Sequence, residues 1–177
     1  MPVRVTAIDG PGGAGKSSLA ARIAAALGNA PVVHTDDFAS WEQPLDWWPR
    51  LLEQVLVPLA AGENACYQRY DWSKRRLQEW IEVPRGPYVV IEGISSSRRA
   101  FRPYLSFSIW VDTPRATRLA RGLDRDGESM RLQWEQWMTD EDRYVELEAP
   151  DQHADLIVCG APTMQHDPDD EVIALSG

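Results

Sequence analysis

Eight residues near the start of the chain, Gly10-Pro11-Gly12-Gly13-Ala14-Gly15-Lys16-Ser17, fit the spacing G-x-x-x-x-G-K-[ST] without a mismatch. The chemistry of that spacing is capture of a polyphosphate. Gly10, Gly12, Gly13, Ala14 and Gly15 supply backbone that wraps the anion closely, and the N–H groups of the following helix start point at it. Lys16 is placed to reach the β and γ phosphates of ATP, the Ser17 hydroxyl to ligate magnesium, and Ser18 to donate to the α-phosphate. A glycine-rich turn matching by chance is the competing reading. It is disfavoured by context, since a buried strand runs into the loop and an amphipathic helix leaves it.

Two carboxylates fall where such a loop needs them. In open α/β sheets ligands bind beyond the carboxyl ends of strands, and there His34-Thr35-Asp36-Asp37-Phe38 and Ile91-Glu92-Gly93 stand. A carboxylate beside the γ-phosphate can hold magnesium or take a proton from an attacking hydroxyl. Asp36 is the candidate base, with magnesium and acceptor contact as further roles. Glu92 is the candidate for the magnesium shell, because it ends an apolar strand where an unpaired buried charge is costly. Asp37 reads more simply as a turn residue. Arg118, Arg121 and Arg125, spaced three and four apart, put three guanidinium groups on one helix face. That face suits phosphate oxygens and transition-state charge, or else it is a solvated basic face paired with Asp124 and Asp126.

The elements that must position these groups alternate between β-branched runs and amphipathic stretches, the pattern of a three-layer α/β/α domain with a parallel sheet. Strands are predicted at Val3–Asp9, Pro31–Thr35, Tyr88–Ile91, Phe107–Val111 and Ala154–Val158. Five parallel strands in the order 2-3-1-4-5 are expected. Leu19, Ile23, Ala26 and Leu27 recur at helical spacing up to Gly28-Asn29. Asp46 is a plausible N-cap for a helix through Leu51, Val55 and Leu59, constrained by Pro49 and Pro58 and closed by Gly62. Thr113-Pro114 reads as the start of the arginine helix, and a second helix is expected over Ser129–Val145. The stretch His166–Glu171 reads as a loose acidic tail.

Composition narrows the function. A single domain of 177 residues with 44% hydrophobic and 25% charged residues is ordinary globular usage. No stretch approaches the ~20 apolar residues of a membrane span, and no cationic leader precedes Val3, so a cytoplasmic protein is expected. The net charge of −9 disfavours a general nucleic-acid surface. Cys66 and Cys159 lack metal-ligand spacing and suggest no disulfide framework. Homo-oligomer formation stays open.

Over about residues 3–162 the layout resembles the uridine kinase family of P-loop kinases, which also includes phosphoribulokinase-like and pantothenate kinase-like relatives. Asp36-Asp37-Phe38 is similar to the family's Asp-x-Phe segment, whose first Asp is the base. Tyr70-Asp71-Trp72 is similar to its Tyr-Asp-aromatic substrate segment. Val90-Ile91-Glu92-Gly93-Ile94 resembles the strand ending in Glu-Gly, and Val111-Asp112-Thr113 with Arg118, Arg121 and Arg125 resembles its mobile lid, here over about 115–130. The resemblance implies ATP, magnesium and a small hydroxyl-bearing acceptor, with Asp36, Tyr70 and Asp46 (after Gln43-Pro44-Leu45) at the acceptor. The departures fall on that side: Ala39 stands where the family often has Tyr, and Lys74-Arg75-Arg76 where uridine kinases commonly carry a His. Uridine or a related nucleoside is the leading acceptor. The basic cluster, with Arg75 as a substrate contact, favours the alternative of a nucleoside monophosphate or other acidic molecule, and a regulatory ATPase without an acceptor is the rival from another class.

Overall fold

A computed structural model describes residues 3–40, 45–167 and 170–176. The strands are β1 (Arg4–Asp9), β2 (Val32–His34), β3 (Ala65–Asp71), β4 (Arg76–Val83), β5 (Tyr88–Glu92), β6 (Phe107–Asp112), β7 (Leu156–Cys159) and β8 (Ala174–Ser176). Helices are α1 (Lys16–Ala26), α2 (Trp48–Leu51), α3 (Val57–Ala60), α4 (Arg115–Asp126) and α5 (Arg131–Glu148). The main sheet runs β2-β5-β1-β6-β7-β8. Its first five strands are parallel and are the five expected from sequence, in the expected order. The sixth, β8, is antiparallel to β7 and lies in the stretch read as following a loose tail.

Alternation along the strands divides the core. On β5, Val89 and Ile91 face one way and join Val5, Val33, Phe38, Leu51, Val55 and Phe101. Val90 faces the other way and joins Ile8, Leu19, Ala20, Ile109, Val111 and Val158. The first cluster takes the helical run 48–60 and β3; the second takes α1. Each fully buried branched side chain contributes about 1.5–3 kcal/mol relative to exposure, so the sheet is anchored from both faces and its carboxyl ends are held still.

Several local expectations change. Asp46 does not cap α2, whose N-cap is Trp47 without a side-chain bond. A π-helical stretch, Leu52–Leu56, separates α2 from α3; Pro58 lacks the N–H that a regular turn needs, and the widened turn absorbs the fault. Gly28, Asn29 and Gly62 do take the left-handed conformations expected at helix ends. Thr113 does not cap α4. The β3–β4 hairpin forms a separate two-stranded sheet that sequence periodicity did not reveal. No helix among the described residues is long and apolar enough to cross a membrane.

Candidate active site

The phosphate loop leaves β1 at Asp9, which is wholly buried. Its carboxylate accepts the N–H groups of Gly10 (2.7 Å), Ser95 (2.9 Å) and Ser97 (2.9 Å), the Ser97 hydroxyl (2.8 Å) and the Tyr144 hydroxyl (2.6 Å). Burial raises the Asp9 carboxyl above its ordinary range, although these bonds pull it down. The loop's origin is therefore pinned to the 95–97 turn and to α5 at once. At Gly13, with φ +75°, a Cβ would lie 2.7 Å from the Arg118 carbonyl oxygen, so only glycine lets α4 approach this closely. Lys16 arches back and donates through Nζ to the Pro11 carbonyl (2.9 Å). Ser17 and Ser18 are exposed at the mouth.

α4 and α5 grip the loop from above. Thr113 Oγ1 donates to the Ala14 carbonyl (3.0 Å), and Arg121 donates to the carbonyls of Gly13 (3.2 Å) and Gly160 (3.0 Å). The N–H of Gly12 donates to Glu141 Oε1 (2.7 Å). Arg118 is buried, bonded through Nε to the Thr113 carbonyl (3.0 Å) and through Nη1 to Glu141 Oε2 (3.3 Å). Burial raises the Glu141 carboxyl, opposed by the Gly12 N–H and the charges of Lys16 and Arg118. Trp134 lies over both Gly122 and Gly12, where an added Cβ would meet its ring at 2.3 Å and 3.1 Å. The expectation of three guanidiniums on one open face is thus corrected. Arg118 is sunk in an ion pair, Arg121 lies on loop carbonyls, and Arg125 chelates Asp126 (2.8 and 2.9 Å) over the Trp134 ring. Spacing put the three on one side of α4; the packing of α5 against that side decides what each one meets.

At the other end of the loop stand the strand-end carboxylates. Glu92 is buried, and its Oε1 receives the Ser17 hydroxyl (3.2 Å) and meets His34 Nδ1 (2.6 Å). That bond to Glu92 is the main reason the His34 pKa is raised. Gly93, at φ +128°, leaves room for Thr35, whose Oγ1 would stand 1.9 Å from a Cβ there. Asp36 follows in a 3-10 turn, open to the cleft yet walled closely enough that desolvation raises its carboxyl, against the pull of Lys16. Trp72 Nε1 donates to the Asp36 carbonyl (3.1 Å) and fixes this turn to the hairpin. Asp37 is a structural residue, accepting the Tyr67 hydroxyl (2.7 Å).

A cleft of about 680 Å³ joins these groups. Gly12, Gly13, Ala14, Gly15, Lys16, Ser17 and Ser18 line its middle, with Asp36, Glu92, Arg121 and Arg125. Gly10 lies behind, with Val111 against it. Arg118, Asp46, Tyr70 and Arg75 are not among the lining residues. Tyr70 is buried with its ring edge-on to Trp72 (5.4 Å), and Arg75 occupies the β3–β4 turn at φ +52°. Asp71 is committed to that same turn, accepting N–H groups of Ser73 and Lys74 and pairing with Lys74 Nζ (3.0 Å). Asp46 is exposed; Gln43 and Pro44 before it lie outside the described residues. Sequence reading missed Trp134, Trp137, Asp140 and Glu141 on α5, all of which line the cleft. Their only signal was an aromatic-rich helix following the arginines.

Magnesium prefers one or two carboxylates plus phosphate oxygens over an all-protein cage. No cluster of three or more metal-ligating side chains occurs among the described residues, while Ser17, Glu92 and Asp36 offer hard oxygen donors beside the loop. That donor set fits.

Residues 42–166 match the model of the Phosphoribulokinase / Uridine kinase family. The match begins beyond the phosphate loop, so loop and family are independent observations. Among solved structures, the chain is similar to a possible uridine kinase from Bacillus stearothermophilus, with 22% identity, a TM-score of 0.66 and 89% of each chain covered. It is also similar to a candidate fructose transport system kinase from Silicibacter sp. TM1040, with 19% identity, a TM-score of 0.67 and coverage of 83% of this chain and 86% of that one. Shikimate kinase from Acinetobacter baumannii, in complex with shikimate, aligns with 17% identity, a TM-score of 0.55 and coverage of 95% and 88%. At these identities the likeness carries the fold. No curated protein matches the chain.

Proposed function

Because the chain belongs to the Phosphoribulokinase / Uridine kinase family, we propose that it transfers the γ-phosphoryl group of ATP to a hydroxyl of an uncharged small molecule, with uridine or a related nucleoside as the leading acceptor. The observation that carries this reading is the single cleft in which the phosphate loop, Asp36 and Glu92 meet. Asp36 takes the proton of the acceptor hydroxyl as its oxygen attacks the γ-phosphorus, and the bond to the β-γ bridging oxygen breaks to release ADP. Its raised carboxyl makes it a better base than an ordinary Asp. Lys16 neutralises charge growing on the bridging oxygen. Magnesium, held by Ser17 and Glu92 with Asp36 beside them, supplies charge neutralisation on the β and γ oxygens when bound. Arg121 and Arg125 approach the phosphates from α4. With Arg121 held on loop carbonyls, we place the mobile part of the lid at 125–130.

An uncharged acceptor is favoured over a monophosphate by what surrounds Asp36. Beyond Lys16 and Arg125, whose charges reach Asp36 and are assigned to the phosphates, the lining on the acceptor side is Ala39, Leu45, Trp72, Ile94, Trp137 and Asp140, two indoles and a carboxylate with no further lysine or arginine. Lys74, from the basic cluster, is tied to Asp71 and Gln78 on the hairpin. The test is ADP release measured against nucleosides, nucleoside monophosphates, pantothenate and sugar alcohols. Release stimulated by a neutral alcohol and lost in Lys16→Ala supports the reading. Stimulation by monophosphates alone would transfer the assignment to an acidic acceptor, and release indifferent to every acceptor would favour a regulatory ATPase.

A further inference from the structure

Asp36 stands on a turn rather than on a strand, so its place in the cleft depends on what fastens that turn. The 3-10 turn Thr35–Asp37 follows β2, a strand of only three residues. Three consecutive residues, 36 to 38, are held from outside. Trp72 donates to the Asp36 carbonyl (3.1 Å) and Tyr67 to the Asp37 carboxylate (2.7 Å). The third hold comes from Arg50 in α2. Its Nη1 donates to the Phe38 carbonyl (3.2 Å), its Nη2 donates to the Gln68 carbonyl of β3 (2.5 Å), and the guanidinium lies 5.4 Å over the Phe38 ring. Both ends of this bridge are firm. Phe38 is buried and stacked on Tyr67 at 4.6 Å, while Leu51, next to Arg50, is fully buried. On the other side, β3 shifts register against β4 between Gln68 and Tyr70, and Arg50 meets the strand at that step, an irregularity of the kind that re-aims chain beside active sites. Arg50 itself is half-buried and is not among the residues lining the cleft.

Resting on the reading of Asp36 as the base, we propose that Arg50 is a positioning residue for phosphoryl transfer: by bridging the Phe38 and Gln68 carbonyls it sets where the Asp36 carboxylate stands relative to the acceptor hydroxyl. The choice of arginine follows from the geometry. A guanidinium is a planar fork that holds two carbonyls at a fixed separation, whereas an ammonium is a point charge on a flexible stem. Both bonds are charge-assisted and partly shielded from water, which strengthens them. Loss of the bridge leaves the phosphate loop untouched and frees the turn that carries the base.

The experiment measures kcat and acceptor KM for phosphomonoester formation, with ATP-analogue affinity, in the wild-type chain, Arg50→Met and Arg50→Lys, each with and without Asp36→Asn. Methionine keeps an apolar arm on Phe38 and removes the bridge. Arg50→Met is expected to lower kcat about 30-fold, inside the roughly 100-fold that a 1 Å misplacement costs, with analogue affinity unchanged and acceptor KM moved far less than kcat. Arg50→Lys should fall between Met and wild type, about 5-fold down, because one carbonyl can still be held. In the Asp36→Asn background either change should cost less than about 2-fold, since no base is left to place. A purely structural role predicts the same factor in both backgrounds, and that result would overturn the proposal. So would a kcat for Arg50→Met within about 3-fold of wild type. If Arg50→Met does not fold, the Arg50→Lys cycle decides by the same comparison. Transfer at the wild-type rate in Asp36→Asn alone would instead remove the base reading, and the proposal with it.

Discussion

Replacing Glu141 by alanine should be among the most damaging single changes near the phosphate loop, and the structure sets its size. Glu141 is 9% exposed and joins the half-buried N–H of Gly12 to a guanidinium that has little water to fall back on. The Gly12 N–H would lose a charge-assisted acceptor at 2.7 Å, and the Arg118 guanidinium, itself 6% exposed, would lose its carboxylate. Breaking one side of a buried pair costs roughly 3–5 kcal/mol. Arg118 keeps its bond to the Thr113 carbonyl, so the lower part of that range is expected, about 3–4 kcal/mol. Glutamine keeps an acceptor for Gly12 and gives up the charge, at about 1–2 kcal/mol. At roughly 2–4 °C per kcal/mol for a chain of this length, Glu141→Ala should melt about 6–16 °C lower and Glu141→Gln about 2–8 °C lower. Urea unfolding gives the free energies directly, and ATP-analogue titration should show the same ranking in affinity. A cost below about 1 kcal/mol for alanine, or equal costs for the two variants, would refute the claim that this carboxylate braces the loop.

Other outcomes follow from the same geometry. Asp9, Asp36 and Glu141 are raised by burial and His34 by its bond to Glu92. All four hold protons more tightly folded than unfolded, so the stability they give is present at low pH and lost as pH rises through their folded values. Of the four, His34 starts at an ordinary value of 6.5 and is raised from there, so without magnesium the melting temperature should be higher at pH 6 than at pH 8, and His34→Gln should flatten that slope. Gly122→Ala gains about 1 kcal/mol of helix propensity but drives a methyl to 2.3 Å from a Trp134 ring held by Asp126 (3.0 Å). Overpacking of about 1–3 kcal/mol should win; a stabilised variant would contradict this packing. Hydrogen exchange should slow on binding ATP analogue and acceptor at 125–130 more than at 115–121, because Arg118 and Arg121 already hold the first part of α4; uniform slowing would argue for a lid that moves whole.

What could be read from the chain in advance depended on how local the cause was. The five parallel strands came through because each is a short apolar run, and the phosphate loop because its glycines and Lys16 are contiguous. Asp36 and Glu92 could be placed because strand ends mark where ligands bind. The hairpin escaped notice because β4 is mostly exposed, with Trp80 at 60%, so no buried period marks it. Glu141 lies 129 residues from Gly12, and no local pattern distinguishes it from Glu135 or Glu146. Arg118 shares the spacing of Arg121 and Arg125, yet what it meets is decided by Glu141 on another helix. β8 forms only because β7 presents it an edge.

The central claim is that this cleft moves a phosphoryl group from ATP to a neutral alcohol with Asp36 as base. Phosphorus NMR of the wild-type chain with magnesium, ATP and the best neutral acceptor of the panel tests it most directly. A new phosphomonoester signal should grow in step with ADP, and in Asp36→Asn it should grow about 100-fold more slowly or worse while ATP-analogue affinity is retained. ADP appearing with inorganic phosphate and no phosphomonoester, or a phosphomonoester forming at the wild-type rate in Asp36→Asn, would contradict the account.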